Sequence, residues 1–146
     1  IPRTYVNNER YAVRILKTFI EEYGIIIPQD MVSLMSAAIL STNIKVRPHH
    51  LYQKILRDAD MSALADPHFK DLSDALHVES KNFEESPLYE VAKTEVGWAN
   101  MQVKFLTNHN WHTVSATELY QRQKQINLEK FTTVVDNMVM KEASTL

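Results

Sequence analysis

The sequence predicts an all-α protein, and three observations predict it. Apolar residues recur at intervals of three and four through most of the chain, no stretch keeps the strict alternation of a half-buried strand, and only two glycines occur in 146 residues. With so few glycines, little material is left for the positive-φ positions that tight hairpins need. There is no internal repeat. The expected architecture is a helical bundle of about five to seven helices in a single domain spanning 1–146. A chain of this length buries roughly 68–70% of the surface its unfolded form exposes.

Taken in order, Asn8 suits the N-cap of a first helix that carries Tyr11, Ala12, Ile15, Leu16, Phe19 and Ile20 on one face and stops at Gly24. Pro28 suits the first turn of a second helix, with Met31, Leu34, Met35, Ala38 and Ile39 as its buried stripe and Ser41-Thr42-Asn43 as its end. Pro48 opens a third, in which Leu51, Ile55 and Leu56 lead toward Asp58 and Asp60. Residues 66–87 are polar and contain Pro67 and Pro87, which predicts short helices joined by loops. From Leu88 one helix runs through Val91, Trp98, Met101, Phe105 and Leu106 to Asn108-His109-Asn110. Ser115 and Glu118 then form a capping-box pattern that opens the last helix, whose apolar face is Leu119, Ile126, Phe131, Val135 and Met138.

Composition removes several function classes. The formal net charge is −2, with acids and bases mixed along the length, so neither a basic face for a nucleic-acid polymer nor a polybasic membrane patch stands out. The absence of cysteine excludes a disulfide scaffold, a thiolate metal site and a cysteine nucleophile, and it suits a reducing cytoplasm. Wholly apolar runs such as Ile25-Ile26-Ile27 fall far short of the roughly 20 residues of a membrane span, so a soluble cytoplasmic protein is expected. Two glycines cannot write either the dinucleotide fingerprint or the P-loop. The chain opens on Ile1 rather than Met, which predicts that residues precede it.

The residues that could carry chemistry are few. Asp58-Ala59-Asp60 sets two carboxylates at the end of an apolar helical pattern, where one side chain can turn inward and the other toward a cation. A single carboxylate does not hold a catalytic metal; it needs imidazoles, and Asp/His sets suit divalent ions such as Mn, Fe, Co, Ni or Zn. His109 and His112 flank Trp111 but sit between helices, which reads as ordinary loop histidines. His49 and His50 are adjacent at a helix start, where neighbouring side chains diverge by about 100° and do not converge on one ion. Trp98, Phe105 and Trp111 read as packing residues, since base stacking would want basic residues among them. Glu9, in a first turn, suits the helix dipole.

Three segments in order carry a resemblance: Asn7-Asn8-Glu9-Arg10-Tyr11-Ala12, Ala38-Ile39-Leu40-Ser41-Thr42, and Ile55-Leu56-Arg57-Asp58-Ala59-Asp60-Met61-Ser62-Ala63-Leu64. Together they resemble the C-terminal portion of a bacterial metal-dependent HD-domain phosphohydrolase. The tail, Trp98 to Leu106 and Asn127-Leu128 before Glu129, is similar to the closing helices of one branch of that superfamily. The resemblance implies an HD-like helical bundle in which a His, an adjacent His-Asp pair and a later Asp bind one or two divalent metals, Mn, Mg, Fe, Co, Ni or Zn. The later Asp maps onto Asp60, with Asp58 and Glu9 as supporting or proton-handling carboxylates. The His and His-Asp ligands would lie upstream of Ile1, and none of the six histidines present stands in their positions. The chain departs from the family pattern at Ala65, where glycine is frequent, and at Asn43, where Lys or His is common.

Two functions follow from these readings. The first is hydrolysis of a small phosphorylated substrate, a phosphate ester or nucleotide, by metal-activated water, with Asp60 as metal ligand and Glu9 and Asp58 in catalysis. Arg10, Lys45 and Arg47 are the basic residues that could meet its phosphate. The second is a non-catalytic helical binding or oligomerisation module in which the two aspartates only end a helix. Six methionines and many apolar positions leave room for a helical homodimer in either case.

Overall fold

The computed structural model describes residues 7–144, apart from the side chain of residue 142. The described residues are all-α, with seven α-helices, one 3-10 turn and no strand. They divide between Met61 and Ser62 into two compact units. No described helix is long and apolar enough to cross a membrane.

The first unit contains α1 (Asn8–Glu22), α2 (Gln29–Leu40) and α3 (Leu51–Asp60), with α2 packed against both of the others. The N-cap of α1 is Asn7, at φ 61°, rather than Asn8, which lies inside the helix and accepts a hydrogen bond from the Glu9 amide through Oδ1 at 3.1 Å. The stop at Gly24 stands as expected. The Ile25 amide donates to the Ile20 carbonyl, the Gly24 amide donates to the Glu21 carbonyl, and Gly24 takes φ 58°, where a side chain would be strained.

Pro28 is the N-cap of α2, one residue before the helix, and the interior side of α2 is turned from the expected stripe. Val32 is buried and Met35, Ala38 and Ile39 of the expected stripe are half-buried, whereas Met31 and Leu34 are 48% and 43% exposed. Pro48 does not open α3 either. It is buried two residues ahead of the N-cap His50, whose amide donates to Gln53 Oε1 at 3.0 Å. Leu51 and Ile55 are exposed, so the buried residues of α3 are Arg57 and Asp58.

The second unit comprises the 3-10 turn Ser62–Ala65, α4 (Phe69–Lys81), α5 (Tyr89–Ala92), α6 (Glu95–Asn108) and α7 (Val114–Ala143). Residues 66–87 hold one 13-residue helix rather than several short ones, because Pro67 and Pro87 both fall outside α4 and its interior lacks a breaker. The helix expected from Leu88 is instead two. α5 ends at Ala92, and Thr94, extended at φ −126° and ψ 144°, caps α6 by accepting the Gly97 amide on Oγ1 at 3.0 Å. A Cβ at Gly97 would stand 2.7 Å from that oxygen and 2.9 Å from the Val91 carbonyl, so glycine is what allows the two helices to join this tightly. The last helix starts at Val114 and not at a Ser115–Glu118 box; Thr113 Oγ1 accepts the Ala116 amide at 3.2 Å.

Leu64, Phe69, Ala92, Trp98, Ala99, Leu106, Ala116 and Phe131 form the buried apolar set of this unit. Phe69 and Phe131 meet edge to face at 5.5 Å between centroids. Trp98, 3% exposed, stacks on the His77 ring at 4.8 Å and donates its indole N–H to Ser73 Oγ at 3.0 Å. His77 in turn bonds the Ala92 carbonyl through Nε2 at 2.8 Å, and its Nδ1 lies 3.6 Å from a Glu95 carboxylate oxygen.

Two buried polar residues of α7 close the unit. The Asn127 amide donates to the Leu64 and Asp66 carbonyls, each at 2.9 Å, while its Oδ1 accepts from Gln123 Nε2 at 3.1 Å. Lys124 Nζ donates to the carbonyl of His109, the C-cap of α6, at 2.5 Å, placing a cation at the negative end of that helix. Burial pushes the Lys124 amine below its ordinary range. Neither residue belongs to the apolar face expected for the last helix, and Leu119, which does, is 70% exposed.

Candidate functional site at the end of α3

The site that the sequence singles out is organised by a residue it did not single out, Arg57. A helix leaves its last carbonyls without intrahelical partners, and α2 ends in a connection, Ser41 to His50, that turns before α3 begins. Arg57 satisfies that end. Its Nε and Nη2 donate to the Ser41 carbonyl at 2.8 and 2.5 Å, and Nη2 also donates to the carbonyls of Asn43 and, at 2.9 Å, Val46. The residue is 5% exposed, and burial draws its guanidinium below the usual value. Opposing that shift, in order of effect, are the negative charges of Asp60, Glu9 and Asp58.

The three predicted carboxylates therefore all act electrostatically on one guanidinium. Asp58 and Asp60 differ as alternation along a helix end predicts: Asp58 is buried at 3% exposure, while Asp60 is exposed. The Asp60 carboxyl is held above its ordinary value, first by desolvation and then by the negative charge of Glu9, against the pull of Arg57. Glu9 comes from the first turn of α1, so acids on two helices of the first unit act on each other's charge.

The raised Asp60 carboxyl has a consequence for stability. A group that binds its proton more tightly in the folded chain adds most to stability below its unfolded pKa, and that contribution is lost as pH rises through the folded value. Asp60→Asn removes the loss. The variant is expected to melt roughly 1–2 °C higher than the parent at neutral pH and level with it below about pH 4. Thermal melts across that range check the sign, and a variant less stable at neutral pH would contradict the assignment.

As a metal centre the cluster is incomplete. Among the described residues no group of three or more His, Asp and Glu side chains could hold a metal ion, and the acids that do converge have a guanidinium among them. Asp60 can contribute one oxygen ligand, but these residues alone do not make a resident divalent site.

No histidine figures among the charges that act on Arg57 or Asp60. His49 and His50 are exposed at the start of α3, His112 is exposed, and His109 packs edge to face on Trp111 at 4.5 Å. Lys45 and Arg47 are exposed on the connection whose backbone Arg57 holds, and Arg10 is exposed on the first turns of α1. The signal for Arg57 was present in the sequence, a cation in the last turn of α3 where the helix dipole favours one. Its partners, three backbone carbonyls 11 to 16 residues earlier, leave no mark in a side-chain pattern. In comparisons with known proteins, no family model, no curated protein and no solved structure matches this chain.

Proposed function

We propose that this chain is the C-terminal portion of a metal-dependent phosphohydrolase of the HD superfamily, acting on a small phosphorylated substrate. The observation that carries the reading is that Glu9 and Asp60, acids picked out in separate segments, both act electrostatically on Arg57, with Asp60 exposed at the end of α3. Asp60 is the metal ligand in this reading, and the remaining ligands come from outside the described residues. Asp58, buried next to Arg57, holds the end of α3 in place, and Glu9 handles a proton near Asp60. Lys45 and Arg47 offer cations for a phosphate on a connection already fixed by Arg57.

The test is hydrolysis of p-nitrophenyl phosphate and of nucleotides by the encoded protein, including whatever precedes Ile1, with and without added divalent metal. Activity should require the metal, and Asp60→Ala should lower it by about two orders of magnitude or more, with Asp60→Asn equally impaired although folded. Turnover that survives chelation, or that survives Asp60→Ala, overturns the proposal. A second reading, a non-catalytic helical binding module, is favoured by the absence of a three-ligand group among the described residues. It predicts no metal-dependent turnover in any of these proteins.

A further inference from the structure

The α1 helix is amphipathic, yet none of its residues is buried. Ala12, Leu16 and Ile20 are half-buried and form one stripe, and α1 packs against α2. The adjoining stripe, Tyr11, Ile15, Phe19 and Tyr23 at intervals of four, stays largely open, with Ile15 and Phe19 each 48% exposed and Tyr23 69%. These side chains are arranged on the surface: the Phe19 and Tyr23 rings lie 4.5 Å apart, and the Arg14 guanidinium sits over the Tyr11 ring at 4.8 Å. A shallow groove runs along this face between Tyr11, Ile15 and Phe19 on one side and Arg14, Thr18 and Glu22 on the other.

The charges on α1 oppose its own dipole. Anions are favoured at a helix N-terminus and cations at its C-terminus. Here Arg10 and Arg14 occupy the first half, Lys17 lies just past the middle, Glu21 and Glu22 stand in the last turn, and the last turn carries no base. Glu9 alone follows the rule. A second helix lying antiparallel would bring cations to the acidic end and acids to the basic half, and α1 is itself such a helix.

We infer that the exposed face of α1 binds the same face of a second copy of this chain, the two helices antiparallel across a two-fold axis near Thr18. Rows of residues at intervals of four interdigitate in the commonest helix-packing class, and a two-fold contact pairs one patch with itself. Arg14 and Glu22 lie equally far on either side of Thr18, so each Arg14 meets the partner's Glu22 and the two ion pairs bracket the apolar centre made by Ile15 and Phe19. One helix face offers less than the roughly 800 Å² per partner of a standard interface, so the dimer is weak and concentration-dependent.

Sedimentation velocity of the 146-residue chain, from micromolar to millimolar concentration, tests this. The parent should shift from monomer to dimer. Arg14→Glu and Glu22→Arg should each weaken association by about tenfold or more, and the double variant, which swaps the charges, should restore it. Equimolar mixing of the two single variants should give a heterodimer. Each single change brings α1 closer to agreement with its own dipole, so lost association does not come from an unfolded helix, and circular dichroism checks this. A parent that stays monomeric throughout, single variants that associate like the parent, or a double variant that stays monomeric would each overturn the inference.

Discussion

Trp98→Ala is expected to lower stability by about 3–5 kcal/mol, a large fraction of the roughly 5–15 kcal/mol a typical domain possesses. The indole is 3% exposed, covers the His77 ring at 4.8 Å, and reaches Ser73 through its N–H. Truncation leaves a cavity against His77 and strands the Ser73 hydroxyl, itself 2% exposed, without this donor. The transfer and cavity contributions dominate, since a neutral hydrogen bond is worth only about 1 kcal/mol net. Trp98→Phe separates the two, keeping most of the stack and losing only the N–H, and should retain more than half of the lost stability. Urea unfolding followed by Trp111 fluorescence reads the effect, because both tryptophans lie in the second unit. A midpoint unmoved by Trp98→Ala would mean that the stack contributes nothing.

The second large effect belongs to Arg57. Replacement by Met, close in length and without charge, removes every donor to the Ser41, Asn43 and Val46 carbonyls and is expected to destabilise the first unit by about 2–4 kcal/mol. Arg57→Lys should recover less than half of that, because a point ammonium cannot span carbonyls that a planar fork gathers. Hydrogen exchange localises the change: amides of residues 41–47 should lose protection in Arg57→Met while those of α6 and α7 stay as they were. The Asp60 carboxyl supplies an independent readout. Without the guanidinium that pulls it down, its pKa should rise further, measurable by NMR titration of the side-chain carbonyl. Unchanged protection over 41–47 would show that the connection holds its shape without Arg57.

What could be read from the sequence, and what could not, follows from how far each determinant reaches. Helix character over most of the chain depends on local spacing and was legible, as was the stop at Gly24, which depends on one residue's freedom at positive φ. The Asp58 and Asp60 distinction was legible for the same reason, since alternate burial along a helix end needs no distant partner. Helix starts were read less well. Asn8, Pro48 and Ser115 were each expected to start a helix, but Asn7, His50 and Thr113 hold those positions, and Pro28 stands one residue ahead of α2 rather than in its first turn, because backbone entry angle selects among neighbouring candidates. The break between α5 and α6 was missed because Gly97 reads as a mild weakness inside a helix, whereas it makes room for the Thr94 cap. Arg57, Lys124 and Asn127 were missed because each answers to backbone carbonyls far away in sequence, and carbonyls are the same at every residue.

The Asn127 clasp bears on kinetics. Most contacts within the second unit join consecutive elements, α4 with α5, α5 with α6 and α6 with α7, and such local topology folds fast. The amide of Asn127 reaches back 63 and 61 residues to Leu64 and Asp66, the kind of contact whose loop-closure entropy delays it until the local pairs have formed. An interaction that forms after the rate-limiting barrier leaves the folding rate almost untouched and acts on the reverse step. The Asn127 amide therefore acts on the residence time of the folded second unit more than on its speed of formation, alongside the Phe69–Phe131 pair, which closes a loop of similar length.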